Sequence, residues 1–283
     1  MEYRSSNLLL RGAMRLVKSL VERCFDLITL LSEHAGAMSL GEISRRLDVP
    51  KSAAHRLLTT LCELGWAEQD ADSGFYRLSL RLAIVGQRLL VATRIPDICQ
   101  PILDRLANET EGLGRIAIVD TDGLTWIAHS QGARSGLIYQ PELAAKVPLH
   151  MTANGKAWLA TLDRDEALAR AVASGLGRSE LGGPRVITTK PTFSAALDET
   201  VERGWGAAIE EAEPGVAAVA ATIRVGGQVV GTVSVAGPLH RFSPLIVPEV
   251  AEKVTATAQE LSALWPYRIA PQQRLPVVAA ASG

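Results

Sequence analysis

The stretch from Ser39 to Gly65 leaves this chain few choices. Ser39-Leu40-Gly41-Glu42 puts a hydroxyl three residues before a carboxylate, the spacing of a capping box at a helix start. Leu40, Ile43 and Leu47 then recur at helical spacing, and Asp48-Val49-Pro50 turns the chain. Proline cannot continue a helix, but at a helix start its missing N–H would have been unpaired anyway. A second helix is therefore expected from Lys51 to Leu64, closed by Gly65. An upstream helix is expected from Ser19 to Leu31, apolar at Leu20, Val21, Cys24, Phe25, Leu27, Ile28 and Leu31 and stopped by Gly36.

The second helix carries two stripes. Ala54, Leu57, Leu58 and Leu61 form one at i, i+3, i+4, i+7; Ser52, His55, Arg56 and Thr59 form the opposite one, with Lys51 at its start. Short hydroxyls, an imidazole and a guanidinium suit base edges and phosphates. Each of these residues alone reads more readily as solvated surface, and Arg45, Arg46, Lys51 and Arg56 are partly offset by Glu42 and Asp48. Trp66–Gln69 and Phe75–Leu78 then read as strands around Asp70-Ala71-Asp72-Ser73-Gly74, with Arg77 offered to a phosphate. The ordered set is a winged helix-turn-helix over residues 17–79, whose second helix would enter the major groove of double-stranded DNA. Use of the winged helix for protein contacts alone is the competing reading.

Residues 80–95 are expected to form a linker helix. Its run of Leu80, Leu82, Ile84, Val85, Leu89, Leu90 and Val91 exceeds what one small domain can bury, which suits a second subunit and a two-fold operator. The 283 residues, 47% hydrophobic and 21% charged, suffice for a second and larger domain. A net charge of -1 excludes a protein that coats nucleic acid over its whole surface, but not one basic reading head. Cys24, Cys62 and Cys99 are odd in number and far apart, so a reducing, cytoplasmic setting is expected rather than a disulfide framework. Leu8-Leu9-Leu10 is cut short by Arg11, so no secretory core forms, and no apolar run reaches membrane-span length. Residues 1–16 are expected to be a flexible arm and the Ala- and Pro-containing residues 267–283 a disordered tail.

The remainder, 96–266, reads as α+β with an antiparallel sheet. Helices are expected at 98–110, 155–162, 163–173, 193–203 and 247–264. Hairpins are expected at Arg115–Asp120 with Leu124–Ser130, and at Val216–Val225 with Gln228–Val235. His129, His150 and His240 lack ligand spacing, and no phosphate loop, nucleophile elbow or dinucleotide fingerprint appears. Neither a metal nor a cofactor is expected. The runner-up, an enzyme domain fused to a winged helix, finds no nucleophile–base pair to rest on. A sensor is the better expectation.

Several runs resemble the IclR family of bacterial transcription factors over most of the chain. In the head these are Leu40-Gly41-Glu42-Ile43-Ser44-Arg45-Arg46-Leu47 and Val49-Pro50-Lys51-Ser52-Ala53-Ala54-His55-Arg56-Leu57-Leu58. Beyond it they are Pro148 to Ala157, Glu210-Glu211 through Pro214-Gly215, and Val230 to Pro238. The resemblance implies a GAF-like effector-binding domain, a homodimer or homotetramer, and partly palindromic operators near catabolic genes. Carried over by position, the effector pocket would include Tyr139, Val147, Ala153, Asn154, Val216, Ala218, Ser234 and Ala236, with Glu211 nearby. Alanine stands at Ala208, Ala218 and Ala236 where relatives commonly place polar or thiol groups. A roomy, low-polarity pocket for an aromatic catabolite or amide is therefore expected, anchored by Asn154 and Ser234 and with Tyr139 stacking on a ring. The alternative is that these alanines are compact core.

Overall fold

The computed structural model describes residues 18–34, 36–121, 123–133, 146–243 and 246–265. The chain divides into two compact units between Leu89 and Leu90, inside the expected linker helix. Among the described residues no helix is long and apolar enough to cross a membrane.

The first unit holds α1 (Leu20–Ser32), α2 (Leu40–Leu47), α3 (Lys51–Glu63), β1 (Ala67–Gln69) and β2 (Tyr76–Leu78), and reaches into α4 (Arg81–Thr93). Its core is Leu27 and Leu31 from α1, Ile43 from α2, Ala54, Leu57, Leu58 and Leu61 from α3, and Met38, Ala67 and Tyr76. The capping box expected at Ser39 is only half formed. Ser39 accepts from the Glu42 N–H at 3.2 Å, but the Glu42 carboxylate pairs with Arg46, one turn on, at 2.9 Å. A complete box closes α1 instead, where Ser19 accepts from the Glu22 N–H and donates its own N–H to Glu22 Oε2 at 2.6 Å. Asp48 takes a left-handed conformation at the turn (φ 53°), and Gly65 does so after α3 (φ 75°), where a glycine carries no Cβ penalty.

In the wing, β1 and β2 pair antiparallel with Glu68 opposite Arg77. Asp70 holds the turn by accepting from the Ser73 N–H and hydroxyl. Met38 adds a bridge to Tyr76, tying the loop before α2 to the wing. α4 ends one residue before Arg94, whose left-handed backbone (φ 56°) separates it from α5 (Ile95–Thr110). No residue of α4 is buried.

The second unit carries a five-stranded antiparallel sheet of order β4-β3-β7-β6-β5. Its strands are β3 (Leu113–Val119), β4 (Leu124–Gln131), β5 (Gly206–Ile209), β6 (Val216–Val225) and β7 (Gln228–Pro238). Side chains alternate across a strand, so the β-branched residues of β6 and β7 divide between two layers. Val219, Ile223, Val233 and Val235 pack under α5 and α9 (Val247–Leu264) with Leu103, Leu106, Val254 and Leu261. The other face, with Ala218, Ala220, Thr232, Ser234 and Ala236, looks toward α6 (Ala153–Leu159). Beyond α6 lie α7 (Arg164–Ala173) and α8 (Lys190–Arg203), which share a core built around Trp158, Phe193 and Leu197, and between them a 3-10 turn at Ser179–Leu181. The sequence reading missed β5, starts β3 two residues late and starts α8 three residues late. The expected antiparallel α+β architecture is the one observed.

Candidate functional site

The first candidate surface is the outer face of α3. Ala54, Leu57, Leu58 and Leu61 are driven inward, and the 3.6-residue period then turns Lys51, Ser52, His55, Arg56 and Thr59 outward, where all five are exposed. Arg45 and Arg46 at the end of α2 are exposed as well. Arg77 stands on β2 as expected but is not unengaged: its Nε and Nη2 lie 3.1 and 3.0 Å from Glu68 Oε2 across the hairpin. The sequence reading overlooked that partner, although strand register makes the two residues cross-strand neighbours.

The second candidate is a cavity of about 540 Å³ over one end of the large sheet. Its apolar floor comes from Ala208, Val216, Ala218, Ala236 and Pro238, strand positions on the face that looks toward α6, with Gly237 at its edge. Met151, Thr152, Ala153 and Asn154 bound it at the start of α6, Leu181 and Ala212 to Pro214 at its rim. Trp126 and Arg115 form a wall from β4 and β3, the guanidinium carbon 4.3 Å from the indole centroid. Lys146 and Arg241 add two further cations, against Glu111 and Glu213.

Of the residues carried over by position, Ala153, Asn154, Val216, Ala218 and Ala236 line this cavity. Val147 is instead buried in the core beside Trp158 and Phe193. Ser234 is buried at 1% exposure behind the wall, its Oγ without a hydrogen-bond partner among the described residues. Asn154 spends its Nδ2 on Thr232 Oγ1 at 2.9 Å, so it is partly committed as an anchor. Tyr139 lies outside the described residues. The alanines at 208, 218 and 236 do strip polarity from the floor, but the expected low-polarity lining needs correcting. Arg115, Trp126, Lys146 and Arg241 bring charge and an aromatic face that no local motif announced.

Glu211 faces Lys156 rather than the cavity. The two form an ion pair, Nζ to Oε1 at 2.6 Å, with side chains only 4% and 10% exposed. Burial pushes the Lys156 ammonium down and the Glu211 carboxyl up from their ordinary values, each opposed by the partner's charge. The pair pins the Glu210–Gly215 loop to α6, and Gly183 N–H to Glu211 O at 2.8 Å and Arg185 N–H to Glu210 O at 3.0 Å pin it from the other side. Glu211 thus supports the rim from behind.

Two family descriptions match this chain: the IclR helix-turn-helix domain over residues 20–71, and the bacterial transcriptional regulator IclR C-terminal domain over residues 87–263. The HTH-type transcriptional regulator KdgR of Escherichia coli is 31% identical over 254 residues, covering 88% of this chain and 93% of that one. A putative IclR transcriptional regulator from Silicibacter has the same fold, with a TM-score of 0.77 at 21% identity over 89% of this chain and 98% of that one. So does an IclR homologue from Microbacterium hydrocarbonoxydans, complexed with 4-hydroxybenzoate, with a TM-score of 0.71 at 22% identity over 87% and 98%. These matches, on a winged helix and an antiparallel-sheet domain with a lined cavity, establish that the chain belongs to the IclR family of transcriptional regulators, which are DNA-binding proteins rather than enzymes.

Proposed function

We propose that this protein is a cytoplasmic regulator of a catabolic operon whose hold on its operator is set by a small aromatic carboxylate. Lys51, Ser52, His55, Arg56 and Thr59 would read or grip a partly palindromic operator from the outer face of α3. Arg77 would reach a phosphate by sharing its guanidinium with Glu68. A homodimer or homotetramer presents two such heads, and the exposed apolar residues of α4 suit the contact between copies. Repression is the mode favoured.

The observation that carries the ligand reading is the cavity lining. An apolar alanine, valine and proline floor faces an Arg115–Trp126 stack, with Lys146 and Arg241 on the same cavity. A flat ring suits the floor and the indole, and cations on the wall offset a carboxylate that an apolar pocket would reject. The 4-hydroxybenzoate bound by the Microbacterium homologue has this chemistry. Ligand and operator would be linked only through the ligand's different affinity for the DNA-competent and incompetent states.

The test is a gel shift on the DNA upstream of the protein's own gene, with 4-hydroxybenzoate, its relatives and small keto acids. A specific shift altered by an aromatic acid supports the reading. Absence of any shift at low salt, where phosphate attraction is greatest, refutes the operator reading. A response to keto acids alone refutes the aromatic one.

A further inference from the structure

We infer that Arg241 receives the carboxylate of the cavity's ligand, and that its bond to Glu111 delivers the ligand's presence to the C-terminal end of α5. The inference rests on the regulator reading above and adds the charge-bearing residue and the helix it acts upon. Among the cavity's cations, Arg115 lies against the Trp126 ring, and both it and Lys146 are partnered. Arg241 is held differently. Its Nη1 donates to the Glu111 carbonyl at 3.2 Å, and the Glu111 carboxylate is a loose 3.9 Å away on a largely exposed side chain. Its Nε, like that of Arg115, is buried with no hydrogen-bond partner among the described residues, so an anion would be met by the outer nitrogens. A guanidinium at a cavity wall whose partners are one carbonyl and a distant carboxylate keeps donor capacity for an anion on its outer nitrogens.

The backbone beneath Arg241 is fixed in advance. Arg241 and Phe242 both donate their N–H to Pro238 O at 2.9 Å, closing a turn at the end of β7. Phe242, at 1% exposure, fills the space above two glycines. A Cβ on Gly112 would lie 2.7 Å from its ring, and one on Gly237 2.2 Å. Only glycine at both sites lets the ring seat, and the seated ring anchors the backbone next to Arg241. Preorganised cations bind anions without first having to be ordered.

Glu111 is the C-cap of α5 in a left-handed conformation, so Arg241 donates to one of the carbonyls at the negative end of that helix. Only Arg94 separates the end of α4 from the start of α5. A carboxylate on Arg241 withdraws charge from this cap, and the helix whose end feels the loss is the one covalently continuous with the linker.

Isothermal titration of the full-length protein with 4-hydroxybenzoate, 4-hydroxybenzamide and pyruvate separates the claims. The expected result is a preference for the acid over the neutral amide of roughly tenfold or more, abolished in Arg241→Gln and retained in Arg241→Lys. Glu111→Gln, an exposed change that should not perturb folding, should tighten acid binding by roughly two- to fivefold and leave the amide unchanged. In gel shifts, saturating acid should change operator affinity of the native protein but not of Arg241→Gln. An acid preference that survives Arg241→Gln, or an acid affinity unmoved by Glu111→Gln, overturns the inference while leaving the aromatic reading intact. Pyruvate binding that depends on Arg241, with no aromatic acid bound, upholds Arg241 as the anion receptor and refutes the aromatic reading. No binding by any of the three compounds refutes both.

Discussion

Lys156→Met is the most informative single change to the frame behind the cavity. Methionine keeps most of the lysine's apolar stem, so little cavity opens and the loss isolates the charge. The pair is 2.6 Å apart with both side chains at least nine-tenths buried. At an effective dielectric of 20 two unit charges so close attract by about 6 kcal/mol, most of which offsets the cost of taking them out of water. Removing the lysine alone forfeits the attraction and keeps the carboxylate's burial, for a net loss of about 3–5 kcal/mol. For a unit of this size that lowers the midpoint of thermal unfolding by roughly 6–20 °C. The loss should depend on pH in a defined sense. Burial already raises the Glu211 carboxyl, and without the lysine it rises further. Between the ordinary carboxylate range and that raised value the native state binds a proton the unfolded state does not, so the variant loses stability as pH rises through this window. Calorimetry at pH 5 and pH 8 should therefore find a smaller deficit relative to the native protein at pH 5. Lys156→Met combined with Glu211→Leu should recover most of the loss, because two apolar groups need no partner. A deficit below about 1 kcal/mol, or one equal at both pH values, would refute the claim that a buried ion pair holds this loop.

Three further outcomes follow from other parts of the fold. Arg56→Ala should weaken operator binding by roughly 1–3 kcal/mol if Arg56 reads a base, and gel shifts on operator and random DNA tell this from a phosphate contact, which loses equally on both. Gly155→Ala should destabilise the second unit by more than about 2 kcal/mol, since the new Cβ would lie 2.1 Å from the Leu149 carbonyl oxygen; a thermal midpoint within 2 °C of the native protein would contradict the close approach. Ile84 and Leu89 on α4 are 51% and 61% exposed, so changing both to Glu should shift sedimentation toward the monomer without lowering the unfolding midpoint of the first unit. An unchanged oligomer would remove α4 from the interface between copies.

What the sequence made legible is what repeats locally. The α3 stripes could be read because helical period alone separates Ala54, Leu57, Leu58 and Leu61 from the outward set. The Ser-x-x-Glu pattern occurs at both Ser19 and Ser39, and it misled at the second because Arg46 sits one turn after Glu42 and competes for the carboxylate. β5 escaped because Gly206-Ala207-Ala208-Ile209 has one β-branched residue in four positions; it is a strand by virtue of pairing with β6. Arg115, Trp126 and Arg241 come from three places in the chain and meet only in the folded sheet. Lys156 gave no sign of burial, since lysine is seldom buried without a partner and its partner is 55 residues away.

The alanines bear on both readings of this part of the sequence, compact core and cavity lining. Ala153 and Ala157 on α6 pack against Ala208 and Ala220, with Ala218 beside them, so these small side chains do form compact core and draw the helix close to the sheet. But α6 is only seven residues long and begins at Ala153. Past that point Ala218 and Ala236, on the same face of the sheet, line the cavity. The floor that is core beneath α6 becomes cavity floor where α6 stops. On the effector reading proposed above, small residues there would leave selectivity to groups reaching in from the walls, where Arg115, Trp126 and Arg241 stand. Substituting the floor should therefore change which sizes of ligand fit, and substituting the wall should change which charges do.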